Sequence, residues 1–183
     1  MKEKERMIKG EIYNPIDIQL IMDRNHANKV CSKYNKKYLS EFNFRNKRMK
    51  KLLNTEGAFW IKPPFSCDYG YNIYLEKNVL INYGCVFLDV CPIRIGENTL
   101  IGPNVQLYTA CHSLDPEERK ENKEYGKLIT IGKNVWIGGS SIVLPGITIG
   151  DNTVIGAGSV VTKSLPSNVI AVGNPCKIVK KVI

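Results

Sequence analysis

The chain has 183 residues, 43% of them hydrophobic, which suffices for one domain with a substantial core and excludes a wholly disordered protein. Its charged N-terminus is not followed by an export signal or by about 20 consecutive apolar residues, so we expect a cytoplasmic protein without membrane association. The net charge of +9 is concentrated in residues 1–62, where basic residues alternate with apolar ones at helical spacing and no nucleic-acid motif accompanies them, which favours a solvated helical face over nucleic-acid binding.

Residues 1–58 are predicted to form a helical segment of two or three short helices. A turn signal at residues 13–15 ends the first apolar cluster. Apolar residues then recur at steps of four, at Val30, Tyr34 and Tyr38, as they do on one face of a helix. A strand-like segment follows the helices and is stopped by two consecutive prolines.

From about residue 73 onward, apolar residues recur at every sixth position, often followed by glycine. Three series have this spacing: Leu75, Ile81 and Phe87; Ile95, Ile101 and Leu107; and Ile131, Ile137, Val143, Ile149, Ile155 and Val161. The glycines that follow are Gly96, Gly102, Gly132, Gly138, Gly150 and Gly156. Small or β-branched residues stand four positions after the apolar ones: Thr99, Val105, Val135, Ser141, Ile147, Thr153 and Ser159.

A period of six fits neither the 3.6-residue period of a helix nor the two-residue period of a flat strand. It fits a short strand with an inward apolar side chain, followed by a sharp corner where glycine or asparagine takes backbone angles that other residues resist. Three such units make a triangular coil of about 18 residues, and coils bury their apolar faces only by stacking. The sequence therefore predicts a mainly β protein with a parallel β-helix over residues 59–183.

The repeat is interrupted between Leu107 and Ile131. Residues 113–127 are highly charged and lack apolar periodicity, so we expect a loop expelled from the coil. His112 lies where coil and loop meet, and an imidazole suits a general base at neutral pH, although a structural histidine is the alternative. Cys111 precedes it, but adjacent residues of an extended segment point to opposite faces, which disfavours a Cys–His nucleophile pair.

Other chemistries have little support in the sequence. The six cysteines are spread along the chain without CxxC or zinc-type spacing, so we expect reduced, mostly buried thiols and no metal site. Coil corners account for the glycine-rich stretch at residues 132–158, and no P-loop or dinucleotide fingerprint is present. Trp136, the only tryptophan of the repeats, is either part of the wall packing or a platform beside a ligand.

The N-terminus and the repeats together resemble the maltose and galactoside O-acetyltransferases and the nodulation-type sugar acetyltransferases. The resemblance rests on MIKGEIYNPIDIQL near the N-terminus, on HSLDP beginning at residue 112, and on the repeats from INYGCVFLDV to GNPCKIVKKV. It covers residues 5–183. It implies a left-handed parallel β-helix, a homotrimer with active sites between neighbouring subunits, acetyl-CoA as co-substrate without a metal, and a small sugar such as maltose, glucose or a galactoside as acceptor.

The same resemblance implies the catalytic roles. His112 matches the family's catalytic histidine, which would remove the proton from the sugar hydroxyl that attacks the thioester. Asn82 matches an asparagine near this base on the acceptor side. The backbone N–H of Gly139 matches the donor to the oxyanion of the tetrahedral intermediate. The family often has serine at that position, so this chain keeps the backbone donor and lacks the hydroxyl.

Further positions are implied to bind the two substrates. Asp17, Asp68 and Asp89 match acceptor-binding positions, as Asn82 does. The acetyl-CoA groove is implied to include Trp136, Gly139, Ala157, Thr162, Lys163, Lys177 and Lys180. The last two stand where the family often has arginine, so they keep a positive charge near the nucleotide phosphates but lose the bidentate guanidinium.

Two other functions stay open. One is acetyl transfer to a non-sugar acceptor such as an antibiotic or serine, although the xenobiotic branch typically lacks this N-terminal segment and the serine branch carries a longer helical domain. The other is a non-catalytic β-helix scaffold. A gamma-type carbonic anhydrase would need three metal-binding histidines, whereas this chain has two histidines in total.

Overall fold

The structure, a computed structural model, describes residues 1–36 and 42–182, so Tyr38 lies outside the described residues. The helices are α1 (Glu3–Lys9), α2 (Ile18–Asn35), α3 (Phe42–Leu52) and α4 (Pro116–Lys120). The strands are β1 (Asn54–Thr55), β2 (Phe59–Ile61), β3 (Phe65–Cys67), β4 (Ile73–Leu75), β5 (Val79–Ile81), β6 (Cys85–Leu88), β7 (Ile93–Ile95), β8 (Leu100–Ile101), β9 (Gln106–Tyr108), β10 (Ala110–Cys111), β11 (Tyr125–Gly126), β12 (Ile129–Ile131), β13 (Trp136–Ile137), β14 (Ile142–Val143), β15 (Thr148–Ile149), β16 (Val154–Ile155), β17 (Val160–Val161), β18 (Val169–Val172) and β19 (Lys177–Lys181). None of these helices is long and apolar enough to cross a membrane.

Three sheets form the walls of a parallel β-helix, as the repeats predict. The first face has the strand order β1-β4-β7-β12-β15, the second β19-β18-β16-β13-β8-β5-β2, and the third β17-β14-β9-β6-β3. Pairing within each face is parallel except for β18 with β19. Successive strands along the chain therefore belong to successive faces, and each coil lies on the one before it.

The inward side chains of these coils form the core. Every residue of the three period-six series is at most 2% exposed, and the residues four positions later are at most 5% exposed. Burial of this apolar surface between neighbouring coils is the main stabilising contribution that the repeat supplies. Thr99, Ser141 and Thr153 are buried as well, and each hydroxyl donates to a backbone carbonyl at a corner.

Two different constraints select the corner residues. Asparagines adopt the left-handed conformation, with φ between 54° and 61° at Asn78, Asn98, Asn104, Asn134, Asn152 and Asn168. The sequence pattern predicts that the glycines of the repeat also take unusual backbone angles. This prediction is wrong, because these glycines do not have positive φ. A Cβ on Gly138 would lie 2.5 Å from the backbone nitrogen of Ala157 on the next coil. These glycines are therefore required by the close approach of successive coils.

The β-helix begins earlier than the sequence predicts. β1 starts at Asn54, within the segment assigned to the helices, and pairs in parallel with β4. The two prolines, Pro63 and Pro64, lie at the corner between β2 and β3 and do not end the sheet structure. Strand register places Thr55, Ile61 and Cys67 at the inward positions of this first coil, and only Ile61 is a large aliphatic residue, so the period of six is not visible in the sequence there.

The N-terminal helices cover the open end of the coils. Buried side chains of α2, among them Ala27, Cys31 and Tyr34, belong to the same core cluster as the β-helix. The Asn35 side chain accepts from the backbone N–H of Phe65 and donates to its carbonyl, both at 2.9 Å. These α2 side chains therefore continue the core of the stacked coils, whereas Met7, Tyr13 and Leu20 form a second, smaller cluster with Tyr69 and Val90.

The interruption of the repeat, residues 110–126, is here called the excursion. β10 and β11 pair antiparallel at its base, and α4 forms its tip with Asp115 as N-cap. Tyr13 and Glu124 exchange backbone hydrogen bonds of 2.9 and 3.2 Å, which tie the excursion to the N-terminal segment. The charged sequence therefore leaves the coil and encloses a space beside it.

Candidate active site

A cavity of about 620 Å³ lies between the N-terminal segment, the corner that follows β3, and the excursion. Its polar lining includes Arg24, Asp68, His112 and Glu124, and Ile16 contributes apolar surface. Two residues predicted for the site, Asp68 and His112, therefore meet in one chain although they are far apart in the sequence. Arg24 and Glu124 were not predicted.

His112 stands at the rim of this cavity, directly after β10. Its side chain is 56% exposed, and Nε2 lies 3.9 Å from Oε1 of Glu124. The other carboxylate oxygen of Glu124 accepts a 2.6 Å hydrogen bond from the hydroxyl of Tyr13, which is buried. Glu124 is thus held in place on one side and faces the imidazole of His112 on the other. A carboxylate beside an imidazole is a common arrangement for orienting a histidine.

Asp68 and Arg24 form the opposite wall. Burial raises the pKa of Asp68 to about 6, and the positive charge of Arg24 acts in the opposite direction. The guanidinium of Arg24 donates to the Tyr69 hydroxyl and to the Pro15 carbonyl, each at 2.6 Å. A fixed cation beside a carboxyl presents hydrogen-bond donors and acceptors together, which suits a ligand with several hydroxyl groups.

The resemblance implies that Asp89 binds the acceptor. In the structure, its side chain lies beneath this wall and does not reach the cavity. The side chain is fully buried and accepts hydrogen bonds from the backbone N–H groups of Asp68, Tyr69 and Gly70, at 3.0, 2.9 and 2.7 Å. Burial raises its pKa to about 8, while the bonds from the Tyr69 and Gly70 N–H groups act in the opposite direction because they favour the carboxylate. Asp89 therefore shapes the corner that carries Asp68 and is closed to a ligand.

Asp17 and Asn82 do not line this cavity of the single chain. Asp17 is the N-cap of α2, and its Oδ1 accepts from the backbone N–H groups of Gln19 and Leu20. Asn82 lies at the corner after β5, where its side-chain oxygen accepts from the backbone N–H of Tyr83 at 2.9 Å. In this single chain, both side chains have local structural roles.

The three sheets of the β-helix enclose a triangular prism, and the predicted catalytic groups lie along two of its edges. Asp68 directly follows the third-face strand β3, and His112 follows β10, which comes just after the third-face strand β9, so both lie at the edge where the third face ends. Asn82, Gly139 and Ala157 lie at the edge where the third face begins. A third-face strand with its corners spans about 15 Å, so one chain does not bring its own His112 next to its own Asn82 or Gly139.

The edge with Gly139 and Ala157 exposes unused backbone donors. In the described part of the chain, no acceptor is found for the N–H of either residue. The backbone around them is fixed, because the Gly139 carbonyl accepts from Gly158 and the Ser140 N–H donates to Pro103. Free N–H groups on a rigid backbone are the donors that an oxyanion or an amide carbonyl needs.

The remaining residues predicted for the cofactor are exposed. Thr162 and Lys163 lie at the same edge as His112, directly after β17. Lys177 and Lys180 are on β19, the outermost strand of the second face. Trp136 is 55% exposed and belongs to an outward apolar ladder on that face. Strand pairing places its members in register: Trp60, Leu80, Leu100, Trp136, Val154 and Ile170.

Three family models and a solved structure match this chain. Residues 6–57 match the maltose acetyltransferase hexapeptide capping motif, residues 92–106 the hexapeptide repeat of succinyl-transferase, and residues 129–163 the bacterial transferase hexapeptide of six repeats. The crystal structure of a maltose O-acetyltransferase from Clostridium difficile is 47% identical, with a TM-score of 0.98 over 100% of this chain and 98% of that one.

A galactoside O-acetyltransferase sequence and a galactoside acetyltransferase structure are also similar. Galactoside O-acetyltransferase of Escherichia coli is 38% identical over 183 residues, which cover 100% of this chain and 90% of the relative. A structure of galactoside acetyltransferase in complex with coenzyme A is 36% identical, with a TM-score of 0.92 over 100% of this chain and 92% of that one. This chain therefore belongs to the maltose and galactoside O-acetyltransferase family of hexapeptide-repeat acetyltransferases.

Proposed function

We propose that the protein is a cytoplasmic enzyme that transfers the acetyl group of acetyl-CoA to a hydroxyl of a small sugar such as maltose, glucose or a galactoside. The observation that carries this proposal is the polar cavity, at whose rim His112 faces a carboxylate. Asp68 and Arg24 line the same cavity and offer an acceptor and donors to neighbouring sugar hydroxyls. The coenzyme A complex of a relative supports the identity of the acetyl donor.

His112 acts as the general base in this proposal. Its imidazole takes the proton of the sugar hydroxyl while the oxygen attacks the thioester carbonyl. The N–H of Gly139 donates to the oxyanion of the tetrahedral intermediate. When the intermediate collapses, the sulfur of coenzyme A leaves and takes up the proton that His112 holds, which restores the neutral base.

We further propose that the active protein is a homotrimer with the reaction at the boundary between subunits. The separation of His112 from Asn82 and Gly139 on two edges supports this arrangement, because a neighbouring subunit would supply the second edge. The apolar ladder that contains Trp136 supplies surface for such an assembly. In the assembly, His112 of one subunit meets Asn82 and Gly139 of the next.

The acetyl-CoA groove follows from the same assembly. Ala157 offers its N–H group to the pantetheine arm along the edge where the Gly139 N–H binds the oxyanion, and Thr162 and Lys163 flank the arm from the other edge. Lys177 and Lys180 lie near the end of the β-helix, where their positive charges attract the nucleotide phosphates. Because lysine binds phosphate as a point charge, we expect attraction without bidentate geometry.

Thiol release from acetyl-CoA tests the proposal directly. We expect release that saturates with a sugar in a panel of maltose, glucose, a thiogalactoside, chloramphenicol and serine. Release with chloramphenicol or serine alone would move the function to a non-sugar acceptor. No release with any acceptor from a folded trimer would contradict an enzymatic role, and a monomer in sedimentation would contradict the shared site.

Replacement of Glu124 by glutamine tests how the base is held. We expect kcat to fall about tenfold with an unchanged KM for acetyl-CoA, because the amide keeps the shape but loses the charge that faces the imidazole. Glu121→Gln is the matched control, since this residue is also on the excursion but pairs with Lys123 at the surface. Equal kcat values for both variants and the wild type would exclude a role for Glu124 in positioning His112.

A further inference from the structure

Two buried cysteines face each other beside the candidate active site. Cys31 is on α2 and Cys67 ends β3, and their sulfur atoms are 3.7 Å apart. They are 5% and 4% exposed. The proposed acetyl transfer uses neither thiol, so the contact has no role in the chemistry described above.

This contact differs from the surroundings of the other buried cysteines. All six cysteines are free, and Cys31–Cys67 is the one sulfur–sulfur contact within 4.0 Å in the described part of the chain. Cys85 instead donates to the Gly102 carbonyl at 3.3 Å, and Cys91 donates to the Met7 carbonyl at 3.2 Å. A pair of thiols that already touch needs a shift of about 1.7 Å to reach the length of a disulfide bond.

The two thiols are electrostatically unequal. The hydrogen bond with Cys67 lowers the pKa of Cys31, because a thiolate at Cys31 can accept the proton of the Cys67 thiol. The same hydrogen bond raises the pKa of Cys67, and burial and the nearby Asp89 add to this rise. Cys31 is therefore the more readily ionised partner, and Cys67 keeps its proton beside it.

We propose that Cys31 and Cys67 are an oxidation site, at which a hydroperoxide converts the thiol pair to a reversible disulfide that links α2 to the β-helix. The Cys31 thiolate attacks the peroxide, an S–O bond forms, the O–O bond breaks, and the departing oxygen takes up the proton that Cys31 lost on ionisation and leaves as water or an alcohol. The Cys67 sulfur then attacks Cys31, the S–O bond breaks, and the hydroxide leaves as water with the Cys67 proton. Together the thiols lose two electrons and two protons, and the peroxide is reduced.

The disulfide would join the two elements that form the cavity wall opposite His112. α2 carries Arg24, and Cys67 directly precedes Asp68, so the bond fixes the positions of these two side chains relative to each other. We expect a few-fold change in the KM for the acceptor with little change in the KM for acetyl-CoA. This consequence rests on the proposed function, whereas the oxidation of the thiols does not.

Thiol counting on the full-length protein tests the site. After brief treatment with hydrogen peroxide and its removal, denatured protein should show the loss of two of its six thiols, and dithiothreitol should restore both. Peptide mapping should recover a disulfide-linked pair that contains Cys31 and Cys67. Because the link closes a loop of 36 residues, the oxidised protein should melt roughly 5–10 °C higher than the reduced one.

Variants separate this site from general oxidation. Cys31→Ser and Cys67→Ser should each abolish the paired loss of thiols, and the buried control Cys85→Ser should behave as the wild type. An equal loss in Cys31→Ser, or oxidation that dithiothreitol does not reverse, would overturn the proposal. If a serine variant fails to fold, peptide mapping of the unmutated protein still shows whether Cys31 and Cys67 form the disulfide. None of these measurements depends on acetyl transfer, so a failure here is distinct from a failure of the proposed function.

Discussion

Replacement of His112 by alanine is expected to lower kcat for acetyl transfer by about 100- to 10,000-fold, the usual contribution of a general base. The loss follows because no other imidazole lines the cavity in the described structure. Stability should change by less than about 1–2 kcal/mol, because the side chain is 56% exposed and its one ion-pair contact is the 3.9 Å approach to Glu124. Initial rates of thiol release and thermal melts at one protein concentration measure the two effects.

His26→Ala is the matched control for this substitution. His26 is an exposed residue on α2, outside the lining of the cavity. We therefore expect wild-type kinetics and stability for this variant. Full activity of the His112→Ala protein would refute the proposed mechanism, whereas equal losses in both variants would show that the assay responds to damage of the fold.

Replacement of Asp89 by asparagine should destabilise the protein by about 2–4 kcal/mol. Its two carboxyl oxygens, which can each accept a hydrogen bond in either protonation state, accept from three backbone N–H groups in a fully buried position. An amide has one oxygen, so its NH₂ group would face an N–H donor and leave at least one buried donor without a partner. Denaturant unfolding at fixed protein concentration measures the loss.

Asp151→Asn is the corresponding control at an exposed corner. The Asp151 Oδ1 accepts a 2.7 Å hydrogen bond from the backbone N–H of Lys133, and water can replace it there. We expect less than about 1 kcal/mol for this change. If both substitutions cost the same, the corner that carries Asp68 does not depend on Asp89.

The interior of the β-helix was predictable because its interactions repeat. Each coil contacts only its neighbours, so an inward residue such as Ile137 has the same environment as Ile155 one coil later. That regularity appears in the sequence as a period of six, and all predicted inward residues are buried. The expelled charged segment was predictable for the same reason, since the period stops there.

The sequence did not show why a particular residue type stands at a particular corner. Asparagine and glycine both interrupt strands, but asparagine adopts positive φ whereas Gly138 allows the close approach of Ala157. The start of the first coil at Asn54 escaped prediction because its inward positions are Thr55, Ile61 and Cys67, of which only Ile61 is a large aliphatic residue. A sequence pattern identifies positions that repeat, and it does not distinguish between physical causes that select the same residue.

The sequence by itself determined the repeating coil, its apolar interior and the position of His112 at the interruption, because these depend on neighbours close in the repeat. Only the tertiary structure decided which side chains surround His112. The Tyr13–Glu124 hydrogen bond joins residues 111 positions apart, and Arg24 reaches Tyr69 across 45 positions. Such contacts depend on how the N-terminal helices and the excursion pack against the coil, and no local period encodes that packing.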